Sequence, residues 1–216
     1  MNEAWNKMTK KYQYLALGDS YTIGEGVAYK ETWVFQLTKE LEKRVQNHVV
    51  ENTIIAKTGW RTDELYDNII KQEPTLNQYN IVSLLIGVND EYQNKPIKTY
   101  VSNFRKLLSK AISLSLIGSQ NVFVVSIPNY GVTPFGKSKS THISKKITEY
   151  NNTSRSICEE KSVTFIDIFK TSMLVENNEE LLVEDRLHPS EKQYELWTKV
   201  ILESDFFSPE RLVKTL

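Results

Sequence analysis

The chain has 216 residues, with 27 Lys plus Arg and 27 Asp plus Glu, so its formal net charge at pH 7 is zero. This balance argues against nucleic acid or an anionic membrane surface as a partner and favours a small or neutral substrate. With 40% hydrophobic residues, we expect one domain over residues 1–216 that buries roughly 70% of the surface of its unfolded chain. The sequence leaves the oligomeric state open.

Cysteine usage and the amino-terminal segment bear on the compartment. The single Cys158 excludes an internal disulfide, and no Cys/His cluster has the spacing of a structural zinc site. Residues 1–13 lack the apolar stretch of about 7–15 residues found in a signal peptide. Nor does any run of about 18 apolar residues occur that could span a bilayer. We therefore expect a cytoplasmic protein without stable membrane insertion.

Five short apolar runs, mostly of β-branched and aromatic residues, have the length of β-strands. In chain order they are residues 12–17, 49–56, 81–86, 122–127 and 163–168. Segments with a helical repeat lie between them. Apolar side chains recur every fourth residue at Trp33, Leu37, Leu41 and Val45, and again at Tyr100, Phe104, Leu108 and Ile112.

Two residues indicate where further helices begin. Thr62 precedes the sequence DELYDNII and is predicted to be a helix N-cap, because its hydroxyl can accept from a free N–H of the first turn. Pro189 suits the first turn of a helix that carries Tyr194, Trp197 and Ile201. Strands and helices therefore alternate, which predicts a parallel sheet with right-handed crossovers and helices on both faces.

In such a sheet, ligands bind at the carboxyl ends of the strands. The first strand is followed by GDSY at 18–21, the second by KTGWRT at 57–62 and the third by GVND at 87–90. The fifth strand is followed, after a longer connection, by DRLHP at 185–189. Each fragment alone is a weak signal, because Gly, Asn, Asp and Ser are common in turns. Their order and placement carry the information.

Ser20, at the end of the first strand, is either a turn residue or a nucleophile. A serine hydroxyl needs a base within hydrogen-bond reach, and that base needs a partner that fixes its tautomer. His188 has Asp185 three residues before it, a spacing at which the carboxylate can fold back on to Nδ1. His48 and His142 have no carboxylate so placed. Alone, His188 would be a surface histidine beside a proline; with Ser20 it becomes a candidate base.

Ester hydrolysis also needs donors for the oxyanion of the tetrahedral intermediate. The candidates are the backbone N–H of Ser20, the backbone N–H of Gly59, where no Cβ blocks close approach, and the side-chain amide of Asn89. Gly59 equally suits a positive-φ turn, and Asn89 equally suits an Asx turn at the strand end. Either structural role is compatible with the catalytic one.

In order, residues 18–20, Gly59, 87–90 and 185–188 resemble the sequence blocks of the SGNH hydrolases, also called GDSL esterases and lipases. The resemblance spans residues 14–189. It implies a three-layer α/β/α sandwich around a flavodoxin-like, five-stranded parallel sheet. It also implies a serine mechanism that requires no metal or cofactor.

The resemblance assigns roles to single residues. It implies Ser20 as the nucleophile, Asp185 and His188 as the rest of the catalytic triad, and Ser20, Gly59 and Asn89 as the oxyanion hole. By the same comparison Asp19 and Asp90 are structural residues that accept loop N–H groups. Tyr21 is a departure, because many members have Leu after the serine, and it bears on substrate fit.

Other features carry less chemistry. Gly24 and Gly26 form no complete phosphate-binding motif and are interpreted as loop residues. Cys158 lies on a predicted helix beside two glutamates and is expected to be a buried small hydrophobic residue. The basic segment 136–146 opens a predicted amphipathic helix with Ile143 on its apolar side, so its charges are expected to face solvent.

Four aromatic residues lie in or near the loops at the catalytic end of the sheet: Trp60, Tyr92, Tyr130 and Phe135. They are candidates for the wall of a substrate pocket, and core packing is the equal alternative. The connections after the first, third and fourth strands are short, and no inserted lid is evident. We therefore expect an open cleft that accepts short acyl groups.

The sequence thus predicts a serine ester hydrolase acting on small or short-acyl carboxylic esters. Lysophospholipase, acyl thioesterase and carbohydrate O-acetyl esterase stay open within the same class, because one fold hosts all three. Two alternatives come from other classes. One is a flavodoxin-like module that binds a flavin or nucleotide, and the other is a metal-dependent phosphatase with Asp19, Asp90, Asp185 and His188 as ligands.

Overall fold

The computed structural model describes residues 10–45, 48–208 and 211. Residues 1–9, which carry most of the segment considered for a signal peptide, lie outside the described residues. The expectation of one domain over residues 1–216 likewise extends beyond the described part of the chain.

Within the described residues, five parallel strands form one sheet. They are β1 (Lys10–Gly18), β2 (His48–Ala56), β3 (Ile81–Leu85), β4 (Val122–Val125) and β5 (Thr164–Ile166). Their spatial order, β2-β1-β3-β4-β5, is that of the flavodoxin-like folds. The predicted sheet is confirmed, and its topological switch point, where ligands bind in such folds, lies between β1 and β3.

Helices cover both faces of this sheet, which confirms the three-layer α/β/α sandwich. They are α1 (Ser20–Ile23), α2 (Trp33–Arg44), α3 (Thr62–Gln72), α4 (Val88–Tyr92), α5 (Ile97–Leu114), α6 (Ser140–Glu160), α7 (Phe169–Ser172) and α8 (Glu191–Leu202). Helix α2 packs against α8, while α3 contacts α5 and α5 contacts α6. Among the described helices, none combines the length and the apolar character that crossing a membrane requires.

The start of α3 differs from the prediction. Thr62 is the first helical residue, and Arg61 occupies the N-cap position. Thr62 does not cap the helix because its hydroxyl and its backbone N–H both donate to the carboxylate of Asp90. The threonine therefore joins the start of α3 to α4.

The start of α8 also differs. The helix begins at Glu191 after Ser190 in the cap position, so Pro189 lies outside its first turn. Pro189 instead forms an isolated antiparallel bridge with Leu182. The proline thus belongs to the loop that precedes the helix.

Strands β4 and β5 are shorter than the apolar runs that predicted them. The backbone N–H of Ile127 donates to Asn151 Oδ1 at 2.8 Å, and that of Ile168 donates to Ser126 Oγ at 2.8 Å. Side-chain acceptors thus replace the ladder at the carboxyl ends of both strands. Apolar composition alone does not show where such a replacement occurs.

The core lies on both faces of the sheet. Every residue of β3 is buried, as expected for a parallel strand that is covered on both sides. Trp33 of α2 and Trp197 of α8 are among the largest buried side chains. Cys158 is fully buried on α6, and burial raises the pKa of its thiol to about 12. It is the small hydrophobic residue that was predicted, not a reactive thiol.

Candidate active site

Ser20 is the first residue of α1, directly after β1 and its cap residue. Asp19 caps this short helix, because its Oδ1 accepts from the backbone N–H of Tyr21 at 3.1 Å. Gly18 is required here, since an added Cβ would lie 2.5 Å from the carbonyl oxygen of Leu85. The tight turn holds Ser20 at the carboxyl edge of the sheet.

Hydrogen bonds join the loops after β2 and β3. Asp90 accepts from the backbone N–H of Thr62 at 3.0 Å and from its hydroxyl at 2.7 Å, as expected for a structural carboxylate. Asn89 Nδ2 donates to the carbonyl oxygen of Trp60 at 3.0 Å. An amide nitrogen carries two N–H groups, so this contact uses one of them. These bonds hold Asn89 beside the loop that carries Gly59.

Gly59 lies in a turn that is closed by a hydrogen bond from Trp60 N–H to the carbonyl of Lys57 at 3.2 Å. Its φ is 83°, in the left-handed region that favours glycine. A Cβ at this position would meet no atom within 4 Å, so the space beside it is open. Backbone conformation therefore explains the glycine, and a ligand can approach the chain closely here.

Asp185 binds both the ring and the backbone of His188. Its Oδ2 lies 2.6 Å from His188 Nδ1, while its Oδ1 accepts from the backbone N–H groups of Leu187 at 2.8 Å and His188 at 2.9 Å. Arg186 between them has φ of 61°, so the chain turns tightly. The ring contact favours the tautomer with the proton on Nδ1 and leaves Nε2 as the acceptor.

The electrostatics of this pair follow from the same contacts. Burial by itself would raise the pKa of Asp185, but hydrogen bonds from the His188 side chain and from the backbone of His188 and Leu187 lower the pKa below its usual value. The carboxylate is therefore ionised at neutral pH. The His188 side chain is only 12% exposed, so a largely buried imidazole faces a fixed negative charge. This arrangement suits a general base.

A cavity of about 200 Å³ brings the loops together. Ser20, Gly59, Asn89 and His188 all line it, with Asp185 held against the ring of His188. Among the described residues, no hydrogen bond joins the side chains of Ser20 and His188, which share the cavity wall. A larger groove of about 510 Å³ between α2 and α8 contains none of these residues.

Three rings form one side of the cavity, and we call them the aromatic wall: Tyr92, Tyr130 and Phe135. The ring of Tyr92 lies 6.3 Å from each of the other two, between centroids. Tyr130 Oη donates to Glu91 Oε2 at 2.7 Å, and both residues are buried. Trp60 does not line the cavity; its side chain packs on the core.

Two contacts that the sequence did not predict position the histidine loop. The buried ring of Tyr21 lies 5.7 Å from the ring of His188 and 6.0 Å from that of Trp197, between centroids. Gly26 lies so close to Val183 that an added Cβ would be 2.6 Å from the valine side chain. The loop after β1 therefore packs directly on the loop that carries the histidine. A bulky aromatic after Ser20 and a glycine-rich loop were the available sequence signals.

Asp19 is fully buried and does not line the cavity. Burial raises the pKa of its carboxyl to about 8, although the backbone N–H of Tyr21 opposes this by donating to it. Its Oδ2 has no hydrogen-bond partner among the described residues. The carboxyl is thus mainly protonated at neutral pH and supports the turn.

The described residues contain no group of three or more His, Cys, Asp or Glu side chains that could hold a metal ion. The four residues that the phosphatase alternative requires as metal ligands therefore do not form such a group. Asp90 binds Thr62, and Asp185 binds His188.

The model of the GDSL-like Lipase/Acylhydrolase family matches residues 16–196. The chain belongs to this GDSL family. The matched region contains every residue that lines the cavity of about 200 Å³, and the GDSL enzyme is a carboxylic ester hydrolase. A search of curated protein sequences finds no match.

Solved structures show the same fold. A member of the lipolytic protein G-D-S-L family from Veillonella parvula is 19% identical with a TM-score of 0.71, covering 90% of this chain and 98% of its own. The lipase Lip_vut3 from a goat rumen metagenome is 21% identical with a TM-score of 0.71, covering 92% and 99%. Axe2, an acetylxylan esterase from Geobacillus stearothermophilus, is 16% identical with a TM-score of 0.69, covering 94% and 99%.

Proposed function

We propose that the GDSL enzyme hydrolyses small or short-acyl carboxylic esters through an acyl-enzyme on Ser20. The observation that carries the proposal is the single cavity lined by Ser20, Gly59, Asn89 and His188, with the ring of His188 held by the ionised Asp185. A nucleophile, a base with its orienting partner, and oxyanion donors are the parts that ester hydrolysis needs.

The proposed reaction has two halves. Ser20 Oγ attacks the ester carbonyl carbon while His188 Nε2 takes the hydroxyl proton, and Asp185 stabilises the imidazolium. The tetrahedral intermediate collapses with cleavage of the C–O bond, and His188 returns the proton to the leaving alkoxide. Water then attacks the acyl group on Ser20, gives its proton to His188, and the free acid departs as Ser20 regains its proton.

The negative charge that forms on the carbonyl oxygen needs fixed donors. We assign the backbone N–H groups of Ser20 and Gly59 and the second N–H of the Asn89 amide to this task. Ser20 lies at the amino end of α1, Gly59 adjoins open space, and Asn89 is held by Trp60, which supports the assignment.

The size of the cavity supports short acyl groups. Its volume of about 200 Å³ lies below the range of about 300–1,000 Å³ typical of sites for drug-sized ligands. Val88, Leu187 and the aromatic wall supply apolar surface for a small acyl group. The name of Axe2, an acetylxylan esterase of the same fold, agrees with a short acyl group.

The test is Ser20→Ala assayed on p-nitrophenyl acetate, with Ser102→Ala, an exposed serine on α5, as the matched control. We expect Ser20→Ala to lose at least about 1,000-fold in kcat with an unchanged circular dichroism spectrum, and the control to match wild type. A fluorophosphonate should label wild type and Ser102→Ala but not Ser20→Ala. Near wild-type turnover by Ser20→Ala would contradict the proposal.

A further inference from the structure

A second cavity, of about 440 Å³, shares all three rings of the aromatic wall with the catalytic cavity. We call it the side groove. Outside the wall it is lined by Glu91, Asn94, Gly136, Ser138, Lys139, His142 and Ile143. We propose that the side groove binds the alcohol part of the ester, and that this leaving group is an uncharged, hydroxylated ring such as a sugar. The inference rests on the proposed function and names its substrate class.

The two cavities meet at the aromatic wall, and their different volumes indicate which part of the substrate each one binds. An ester with its carbonyl carbon at Ser20 carries an acyl group on one side and the leaving alcohol on the other. The catalytic cavity has about 200 Å³, and the groove beyond the shared rings has more than twice that volume. The smaller space fits a short acyl group, so the larger space is assigned to the alcohol.

The aromatic wall offers flat apolar surface at the border of the groove. Tyr92 is 55% exposed and Phe135 is 50% exposed, which is unusual for large rings that lie side by side. Tyr130 is fixed behind them by its hydrogen bond to the buried Glu91. Exposed rings on a rigid support can stack on the C–H face of a sugar ring without losing much side-chain freedom.

The rest of the groove offers hydrogen bonds rather than apolar surface. Four exposed polar residues line the groove together with the rings: Asn94, Ser138, Lys139 and His142. Such a lining matches hydroxyl groups, whereas a long alkyl alcohol would leave these side chains without partners.

The charges of the groove favour an uncharged ligand. Lys139 and His142 belong to the basic segment 136–146, whose charges are predicted from the sequence to face solvent. Glu91 lines the same groove with a carboxylate. A phosphate or carboxylate on the leaving group would face Glu91, while a cationic group would face Lys139. A hydroxylated ring can donate to the carboxylate and accept from the cation.

The experiment compares acetyl esters that differ only in the alcohol. The probes are ethyl acetate, 6-O-acetylglucose and 1-acetylglycerol 3-phosphate. We expect wild type to show a kcat/KM on 6-O-acetylglucose at least about tenfold above that on ethyl acetate. The double variant Lys139→Ala/His142→Ala should lower this ratio about tenfold, mainly through KM. Lys145→Ala, at an exposed basic residue of α6 that does not line the groove, should leave the ratio unchanged.

The outcomes are distinct. Equal kcat/KM on the glucose and ethyl esters would overturn the inference, and so would a ratio of the two that the double variant does not change. In either case, turnover of ethyl acetate would still support the proposed function. A preference for 1-acetylglycerol 3-phosphate that the double variant removes would also overturn it, in favour of an anionic alcohol. Failure to hydrolyse any of the esters would overturn the proposed function itself.

Discussion

The carboxylate of Asp90 accepts two hydrogen bonds from Thr62, from the backbone N–H at 3.0 Å and from the hydroxyl at 2.7 Å. This contact spans 28 positions of the sequence and joins α4, which follows β3, to the start of α3. Both residues are almost fully buried. The carboxylate next to the candidate oxyanion donor Asn89 therefore holds two segments at the edge of the cavity together.

Thr62→Val tests the structural role of the hydrogen bonds between Thr62 and Asp90. The valine keeps the shape but removes the hydroxyl and leaves Asp90 Oδ1 without its donor, so we expect the free energy of unfolding to fall by about 1–3 kcal/mol. The kcat should fall as well, because Asn89 and Gly59 would no longer be held in fixed positions relative to each other. Urea unfolding and kcat on p-nitrophenyl acetate measure both. Thr99→Val, at an exposed site on α5, should change neither quantity. Equal effects at the two sites would contradict a specific role for the hydrogen bond from the Thr62 hydroxyl to Asp90.

Replacing Asp185 by Asn should reduce kcat about 1,000-fold or more. An amide can donate to His188 Nδ1, which stabilises the wrong tautomer and places the proton on Nε2. KM on p-nitrophenyl acetate should change little, since Asp185 does not line the cavity. Glu184→Gln removes the same charge one residue away at an exposed position and should retain full activity. Comparable losses in both variants would indicate a general charge effect.

Asn89→Ala should lower kcat about 100- to 1,000-fold with little change in KM, as expected for an oxyanion donor. The variant also removes the hydrogen bond to Trp60, so its free energy of unfolding must be measured alongside. Asn152→Ala, an exposed amide on α6, is the control. If the loss of activity disappears at a temperature where the Asn89→Ala protein is fully folded, the amide acts only on stability.

The raised pKa of Asp19 predicts a specific pH dependence of stability. The folded protein holds this proton up to a pKa of about 8, whereas the unfolded chain releases it near pH 4. The contribution of Asp19 to the free energy of unfolding is therefore present at pH 4 and is lost as the pH rises towards 8. Asp19→Asn cannot titrate. The difference in the free energy of unfolding, Asp19→Asn minus wild type, should therefore rise by an amount on the order of 3 kcal/mol from pH 5 to pH 8.

Urea unfolding of both proteins at pH 5, 6.5 and 8 measures this difference. Glu184→Gln, which removes a carboxyl group at an exposed position, is the control. A constant difference between Asp19→Asn and wild type across the three pH values would show that Asp19 is ionised in the folded protein throughout.

Acyl length is the remaining prediction. Acetyl and butyryl esters of p-nitrophenol should exceed the palmitoyl ester in kcat/KM by at least about tenfold, or about 1.4 kcal/mol of transition-state binding, because the cavity holds about 200 Å³. The assay is run below the micelle concentration of the long ester. Preference for palmitoyl would contradict the short-acyl assignment and favour a lipase or lysophospholipase.

Local patterns made much of this protein predictable. Parallel strands buried on both faces must be continuously apolar, so the five strands are visible as runs, and their alternation with helices implies the sheet. The contact of Asp185 with His188 spans three residues, so spacing alone indicates it. The position of Ser20 is likewise visible in the local pattern, because this residue lies just after the first apolar run.

Contacts between distant segments were decided only by the tertiary structure. Thr62 was predicted to be a helix cap but binds Asp90, and Glu91 is buried against Tyr130, 39 positions away. Whether Tyr92 lines a cavity while Trp60 packs on the core likewise depends on which loops meet. Each of these outcomes is set by side-chain packing across the top of the sheet, and periodicity along the chain carries no record of it.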